Sequence, residues 1–420
     1  MEKFVINGKN PLSGEIEVRG AKNAVMKILP AALLSKGTIT IKNLPNIEEI
    51  HKATDILKDL GASIKLDGRN CTVSITEIKK NILEPEFANK FRSSVMFAGP
   101  LLAQTGEVRF PHPGGCVIGA GKRPIDLFLD GFVALGAEVE ENDDYYVVKA
   151  KKLIGGNYFF TTASVTGTES MIMTAVLAEG VTTLGNCAME PEIVALADYL
   201  NKNGAKILGA GTSTVIIEGV KEISAGEYTI IPDRIETGTF AILGAATKSE
   251  LTITKCNPNN IESLLAVFQK VGISYERGED WLKIKPAKSL RPIDIKTHEY
   301  PGFPTDLQPP YTVLMTQAEG RSVIHEVIYD RRLLFTDMLV QMGADIIMCD
   351  PHRIVVNGPT KLHGRKLTSP DLRAGIAVVI AAALADGQTE IDNIYQIDRG
   401  YEKIEERLQK IGVKIERVNE

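Results

Sequence analysis

The chain has 420 residues, of which 44% are hydrophobic and 24% charged, with a formal net charge of −5 at pH 7. That length exceeds one ordinary core and predicts two domains of about 200 residues, in the composition range of a soluble globular protein. The negative balance and the lack of any lysine-arginine run exclude general nucleic-acid affinity, so an anionic ligand must be held by locally placed cations.

The start, Met1-Glu2-Lys3-Phe4-Val5, has no apolar core of a signal peptide, and the longest apolar run, near Ile376 to Ala385, is too short to span a bilayer. A cytoplasmic protein without a membrane role is expected. Five cysteines (Cys71, Cys116, Cys187, Cys256, Cys349) lie far apart with no CxxC pair, which fits a reducing compartment and disfavours structural zinc. The six histidines show no metal-ligand spacing, and no metal is expected.

In chain order, a phrase of the type Leu-Gly-Ala returns around Gly61, Gly136, Gly204, Gly272, Gly343 and Gly412, roughly every 70 residues, which is the signature of a repeated unit. Each unit predicts a helix with alanine and leucine on its buried face, a glycine, a β-branched strand, a second helix ending at the phrase, and further strands. Leu33-Leu34-Ser35-Lys36-Gly37-Thr38-Ile39 and Leu384-Ala385-Asp386-Gly387-Gln388-Thr389 are two examples. Six such βαβαββ units cannot share one core, so they divide three and three. The last unit lacks its final strands, and Phe4-Val5-Ile6 with Ile16-Glu17-Val18 supply them. The expected domains are 20–230, and 1–19 together with 231–420.

One stretch concentrates chemistry: Pro113-Gly114-Gly115-Cys116-Val117-Ile118-Gly119-Ala120-Gly121-Lys122-Arg123-Pro124. Four glycines predict a mobile surface loop. A thiol there, beside Lys122 and Arg123, is expected to titrate below its free value, toward neutrality, in the range for proton transfer or nucleophilic attack. The plain alternative is a small buried hydrophobe. A phosphate-cradling P-loop is set aside, because Cys116 stands where the first glycine belongs and Arg123 where Ser or Thr belongs.

The loops before each first helix occupy equivalent places: Gly20-Ala21-Lys22-Asn23, Lys90-Phe91-Arg92, Ser164-Val165-Thr166-Gly167, Asp233-Arg234, Phe303-Pro304-Thr305-Asp306 and Asp371-Leu372-Arg373. Helix N-termini carry unpaired N–H groups, so several aimed at one cleft suit a phosphate-rich ligand. Lys22, Arg92, Arg123, Arg234, Arg373 and Arg399 add positive charge, although each alone reads as a surface salt bridge. Asp233, Asp306 and Asp371 read as N-caps, with at least one of them serving as a base instead.

Six repeats, Lys22-Asn23, the Gly-Gly-Cys loop followed by Arg-Pro-Ile-Asp-Leu, Phe303-Pro304-Thr305-Asp306, Asp371-Leu372-Arg373 and Ile397-Asp398-Arg399-Gly400-Tyr401-Glu402 together resemble the UDP-N-acetylglucosamine enolpyruvyl transferase family along the whole chain. The resemblance implies an α/β fold of two inside-out α/β barrels, each of three repeated βαβαββ units, which close over their substrates. It implies transfer of enolpyruvyl from phosphoenolpyruvate to the 3-hydroxyl of UDP-N-acetylglucosamine, the first committed step of peptidoglycan synthesis, by addition and elimination through a tetrahedral intermediate. It also implies fosfomycin as an alkylating inhibitor, no metal or organic cofactor, and no obligate protein partner.

By the same resemblance Cys116 is the general acid toward the methylene carbon and Asp306 the base at the sugar hydroxyl. Lys22, Arg123 and Arg399 surround phosphoenolpyruvate, Asn23 lies beside them, and Arg92 and Arg373 line the same cleft. Arg123, Pro124, Ile125, Asp126, Leu127, the Ser164, Val165, Thr166 and Gly167 loop and Ile328 match positions that hold the sugar nucleotide, with Asp233 and Asp371 in the same binding set. The chain departs from the pattern by the apparent insertion of Gly121-Lys122, by Thr162-Ala163 where a lysine is common, and by Asp330-Arg331-Arg332 where Glu-Asn-Arg is usual. Two rivals remain for assay. One is 3-phosphoshikimate 1-carboxyvinyltransferase, whose Asp-Lys-Ser motif is replaced here by Lys22-Asn23. The other is an inactive sugar-nucleotide-binding paralogue, against which intact Cys116, Lys22, Asp306 and Arg399 speak.

Overall fold

Helices that are buried on every side organise the fold, and the sheets lie outside them. The computed structural model describes residues 2–112 and 125–419. They fall into two compact units, residues 2–19 with 232–419, and the described residues between 20 and 231. Residues 113–124, and with them the expectations placed on Cys116, Arg123 and Pro124, lie outside the described residues.

In the 20–231 unit the helices Lys22–Ala31, Ala98–Thr105 and Val165–Ala175 begin the three repeats, and nearly all their side chains are buried. Arg234–Ala246, Gln308–Met315 and Leu372–Leu384 do the same in the other unit. A helix apolar all round belongs in a core, not at a surface. The Leu372–Leu384 helix, LRAGIAVVIAAAL, is such a sequence. Small residues bring its backbone close to its neighbours. A Cβ on Gly375 would sit 2.3 Å from Ser369 Oγ and 2.7 Å from Ile397 Cγ1, so Gly375→Ala would break the packing.

The sheets cover these helices with one face and meet solvent with the other, as the alternating burial of Thr214–Glu218 and Glu250–Thr254 shows. Each unit carries three sheets among the described residues. Helices inside and sheets outside is the inside-out arrangement that the family resemblance implies.

The six Leu-Gly-Ala phrases have one physical origin. Gly61, Gly136, Gly204, Gly272, Gly343 and Gly412 all adopt positive φ, between +93° and +108°. The following N–H reaches a carbonyl five residues back in every case: Ala62 to Leu57, Ala137 to Phe132, Ala205 to Leu200, Ile273 to Phe268, Ala344 to Leu339 and Val413 to Leu408. This is a left-handed helix C-cap, which satisfies orphan carbonyls and strongly favours glycine.

The first strands belong to the unit that holds the end of the chain. Glu2–Asn7 is an inner strand, antiparallel to both Gln388–Asp392 and Lys414–Asn419. Ser13–Glu17 runs parallel to Glu250–Thr254.

Candidate active site

In the 2–19 and 232–419 unit, three repeat-leading helices present their N-termini with different chemistry. Asp233 accepts from the N–H groups of Ile235 (2.8 Å) and Glu236 (3.0 Å), and Asp371 accepts from those of Arg373 (2.8 Å) and Ala374 (3.0 Å). Both are N-caps. Asp306 differs. It lies in the short turn Thr305–Leu307 ahead of Gln308–Met315, and no side chain caps that turn. Its Oδ1 takes a hydrogen bond from Arg332 Nη2 at 2.9 Å, and its Oδ2 lies 3.0 Å from Arg373 Nη2.

Burial alone would push the Asp306 carboxyl up, but the guanidiniums of Arg373, Arg332 and Arg234 outweigh it and hold the group well below the ordinary carboxylate range. Arg373 in turn is held charged against its own burial, chiefly by Asp306. Its guanidinium lies 5.9 Å from the centre of the Tyr401 ring and donates to the Tyr401 hydroxyl at 3.4 Å. Tyr401, its pKa pushed up to about 12 by burial, exchanges a 3.0 Å hydrogen bond with Thr239 on the Arg234–Ala246 helix. Asp306 is thus a fixed anion inside a cationic cage, still partly open to solvent with 24% of its side chain exposed. Arg399, just past the short helix Tyr395–Asp398, donates to Gln396 Oε1 at 2.8 Å.

Glu326 anchors the loop that carries Ile328. It is completely buried, and its Oε1 accepts from Thr297 Oγ1 (3.0 Å), the Ile328 N–H (2.8 Å) and the Tyr329 N–H (3.1 Å), while Oε2 accepts from Thr305 Oγ1 at 2.8 Å.

In the 20–231 unit, Lys22 opens its helix and places Nζ 2.9 Å from Oε2 of the buried Glu49. Asn23 follows it, and Arg92 opens the turn Arg92–Phe97. Ser164 caps the Val165–Ala175 helix by accepting from the Gly167 N–H at 3.0 Å, which places Val165, Thr166 and Gly167 in its first turn. A Cβ on Gly167 would meet the Phe160 ring at 2.9 Å. Ile125 is buried, Asp126 is exposed and begins the Asp126–Ala134 helix, and the Leu127 carbonyl accepts from the Tyr158 hydroxyl. Deeper, Lys27 Nζ lies 3.2 Å from Oε2 of Glu169, whose side chain is wholly enclosed and whose two oxygens accept no hydrogen bond. Burial pushes the Glu169 carboxyl up to about 8, against the pull of Lys27 and with help from Glu192 and Glu190.

Sequence reasoning named Asp306, Arg373 and Lys22 but missed Arg332 beside Asp306, Tyr401 beside Arg373, Glu49 beside Lys22, and Glu326 behind the Ile328 loop. The one available signal was an arginine at position 332 leading into the apolar Leu333-Leu334-Phe335. Among the described residues no group of three or more His, Cys, Asp or Glu is arranged to hold a metal ion. No helix among them is long and apolar enough to cross a membrane.

Residues 6–408 match the family described as EPSP synthase (3-phosphoshikimate 1-carboxyvinyltransferase). The chain is 43% identical over 424 residues to the UDP-N-acetylglucosamine 1-carboxyvinyltransferase of Koribacter versatilis, covering 100% of this chain and 97% of that one. It is 42% identical over 415 residues to the protein of the same name from Bdellovibrio bacteriovorus, covering 99% and 100%. Among solved structures, the enolpyruvyl transferase NikO from Streptomyces tendae superposes with a TM-score of 0.89 at 24% identity over 99% of each chain. An EPSP synthase from Acinetobacter baumannii does so with 0.75 at 17% identity over 100% of each. These two likenesses establish the enolpyruvyl transferase fold.

Proposed function

The chain belongs to the UDP-N-acetylglucosamine 1-carboxyvinyltransferases, and from that premise we propose that it transfers enolpyruvyl from phosphoenolpyruvate to the 3-hydroxyl of UDP-N-acetylglucosamine, releasing phosphate, in the cytoplasm. The observation that carries the reading at the level of the site is the caged carboxylate of Asp306, standing in the Phe303-Pro304-Thr305-Asp306 motif at the head of a buried helix.

The chemistry proceeds in two halves. The sugar oxygen bonds to C2 of phosphoenolpyruvate while C3 gains a proton, giving a tetrahedral carbon. That carbon then loses phosphate from C2 and a proton from C3. Asp306 takes the hydroxyl proton. As a strongly stabilised anion it is a weak base, so it accepts that proton late, when the forming C–O bond has already made the hydroxyl acidic. Cys116 gives the proton to C3. Lys22, oriented by Glu49, joins Arg123 and Arg399 in neutralising the phosphate and carboxylate of the donor. Ile125, Asp126, Leu127, the first turn after Ser164, and Ile328 hold the sugar nucleotide. We assign the chain two domains, 20–230 and 1–19 with 231–420.

A phosphate-release assay decides the reading. Phosphate is expected from phosphoenolpyruvate with UDP-N-acetylglucosamine and not with shikimate 3-phosphate. The reverse preference would move the chain to the 3-phosphoshikimate enzymes, and silence with both acceptors would make it a binding protein. Fosfomycin followed by peptide mapping tests the acid. Cys71, Cys187 and Cys256 are buried, and burial pushes their thiols up to about 11, 11 and 12, which leaves Cys116 and the exposed Cys349 for the reagent; a single adduct, on Cys116, is expected. An adduct elsewhere removes the assignment.

A further inference from the structure

Glu326 presents an unexplained arrangement. It is 0% exposed, and among the described residues no cation pairs with it; its carboxylate is satisfied by four neutral donors. Enclosing an anion without a counter-charge is unfavourable unless each lone pair is used, and an apolar side chain would fill the space at lower cost. What the carboxylate does that an apolar side chain cannot is accept, at one point, from three separate segments.

Those segments are Thr297, Thr305 and the turn at Ile328 and Tyr329. The Thr297 hydroxyl passes the tie onward, since it also accepts from the Val327 N–H at 2.9 Å. Thr305 immediately precedes Asp306. Arg332, a few residues beyond the Ile328 turn, reaches back to Asp306 Oδ1 at 2.9 Å. The two segments are therefore stitched twice, by Glu326 to Thr305 and by Arg332 to Asp306. The strand Gly320–His325 delivers Glu326 into this position, and the Glu326 N–H and C=O are themselves bound to His352, at 2.8 Å and 3.0 Å.

We propose that Glu326 is a positioning residue for the acceptor substrate, holding the Ile328 turn and the Asp306 turn in one fixed register. This rests on the reading above, in which Ile328 contacts the sugar nucleotide and Asp306 its reactive hydroxyl. Glu326 touches neither substrate. It acts by keeping two contacts of one ligand at a constant separation, and displacement by a fraction of an ångström is enough to slow a reaction between aligned groups.

The test is steady-state kinetics of phosphate release with the full chain. Glu326→Ala is expected to raise KM for UDP-N-acetylglucosamine about tenfold and to lower kcat about tenfold, with KM for phosphoenolpyruvate changed less than about twofold. Glu326→Gln should recover most of the loss, because its oxygen can accept the three Oε1 bonds while its amide donates to the Thr305 hydroxyl. Thr305→Val removes only the Asp306-side tie, leaving the Ile328 turn bound, and should lower kcat more than it raises KM for the acceptor. Equal changes in KM for both substrates, an indifferent Glu326→Ala, or a Glu326→Gln as impaired as Glu326→Ala would overturn the proposal. Should Glu326→Ala fail to fold, Glu326→Gln and Thr305→Val still decide it. A wild-type protein silent with UDP-N-acetylglucosamine ends the underlying reading and the proposal together, whereas an active wild type with indifferent variants ends the proposal alone.

Discussion

Asp306 and Glu169 are both carboxylates placed near the buried helices of their own units, and they end in opposite states. Asp306 meets guanidiniums on both oxygens and stays an anion. Glu169 meets one poorly aligned ammonium at 3.2 Å and two further acids nearby, and its pKa rises to about 8. The difference teaches that burial alone does not decide ionisation here. The number of aligned donors does. A third case, Glu236, sits at the satisfied extreme: Arg407 donates to it from Nη1 at 2.6 Å and Nη2 at 2.7 Å, and the Arg19 N–H donates at 2.9 Å.

The strongest way to break the comparison is at that satisfied extreme. Arg407→Leu should cost about 3–5 kcal/mol, because it strands the Glu236 carboxylate in the core and also removes the donor to the Glu17 carbonyl. Urea unfolding measures it, and a loss under about 1 kcal/mol would show that water replaces the arginine. Asp306→Asn tests the cage by function: an amide cannot take the hydroxyl proton, so kcat should fall about 100-fold or more in a chain that still folds. A kcat within a few-fold of wild type would remove Asp306 as the base.

Glu169→Gln sharpens the other end. Between the ordinary carboxyl value of 4.5 and about 8, the unfolded chain has released a proton that the folded chain retains. Stability therefore falls as pH rises through that window, and the penalty is complete above about 8. Glu169→Gln should flatten this slope in unfolding curves taken from pH 5 to 9, and should be relatively stabilising at the alkaline end. Parallel curves for the two proteins would place the charged form in the native state throughout. The smallest effect is expected at an exposed pair. Lys206 and Glu218 face each other across neighbouring strands with more than half of each side chain in solvent, and Lys206→Ala should change stability by less than about 0.5 kcal/mol.

The repeats were legible because each rests on local chemistry. A glycine whose φ must be positive marks each helix end, and an apolar run marks each central helix, so six units could be read without any tertiary information. Asp233 and Asp371 were legible for the same reason, since a cap bonds within its own turn. Asp306 carries the same residue type at a matching position, yet its partners lie 26 and 67 positions away, at Arg332 and Arg373. No local pattern announces such convergence. Glu326 was silent too: a single acid after an alternating strand reads as a solvated residue, and only the folded chain shows that Thr297, Thr305 and two backbone N–H groups surround it. Lys22 read as a cation for a ligand, and the structure adds that Glu49 already shares its charge.

The inner position of the Glu2–Asn7 strand bears on how the protein is made. Its two neighbours, Gln388–Asp392 and Lys414–Asn419, leave the ribosome long after it, so this strand must wait for them before its edges are covered. The middle of the polypeptide faces no such delay. Assembly in the cell should therefore be staggered, with the 20–231 unit maturing first and the other closing only once Lys414–Asn419 has emerged, and a nascent chain stalled before residue 388 should show protease resistance in the former alone.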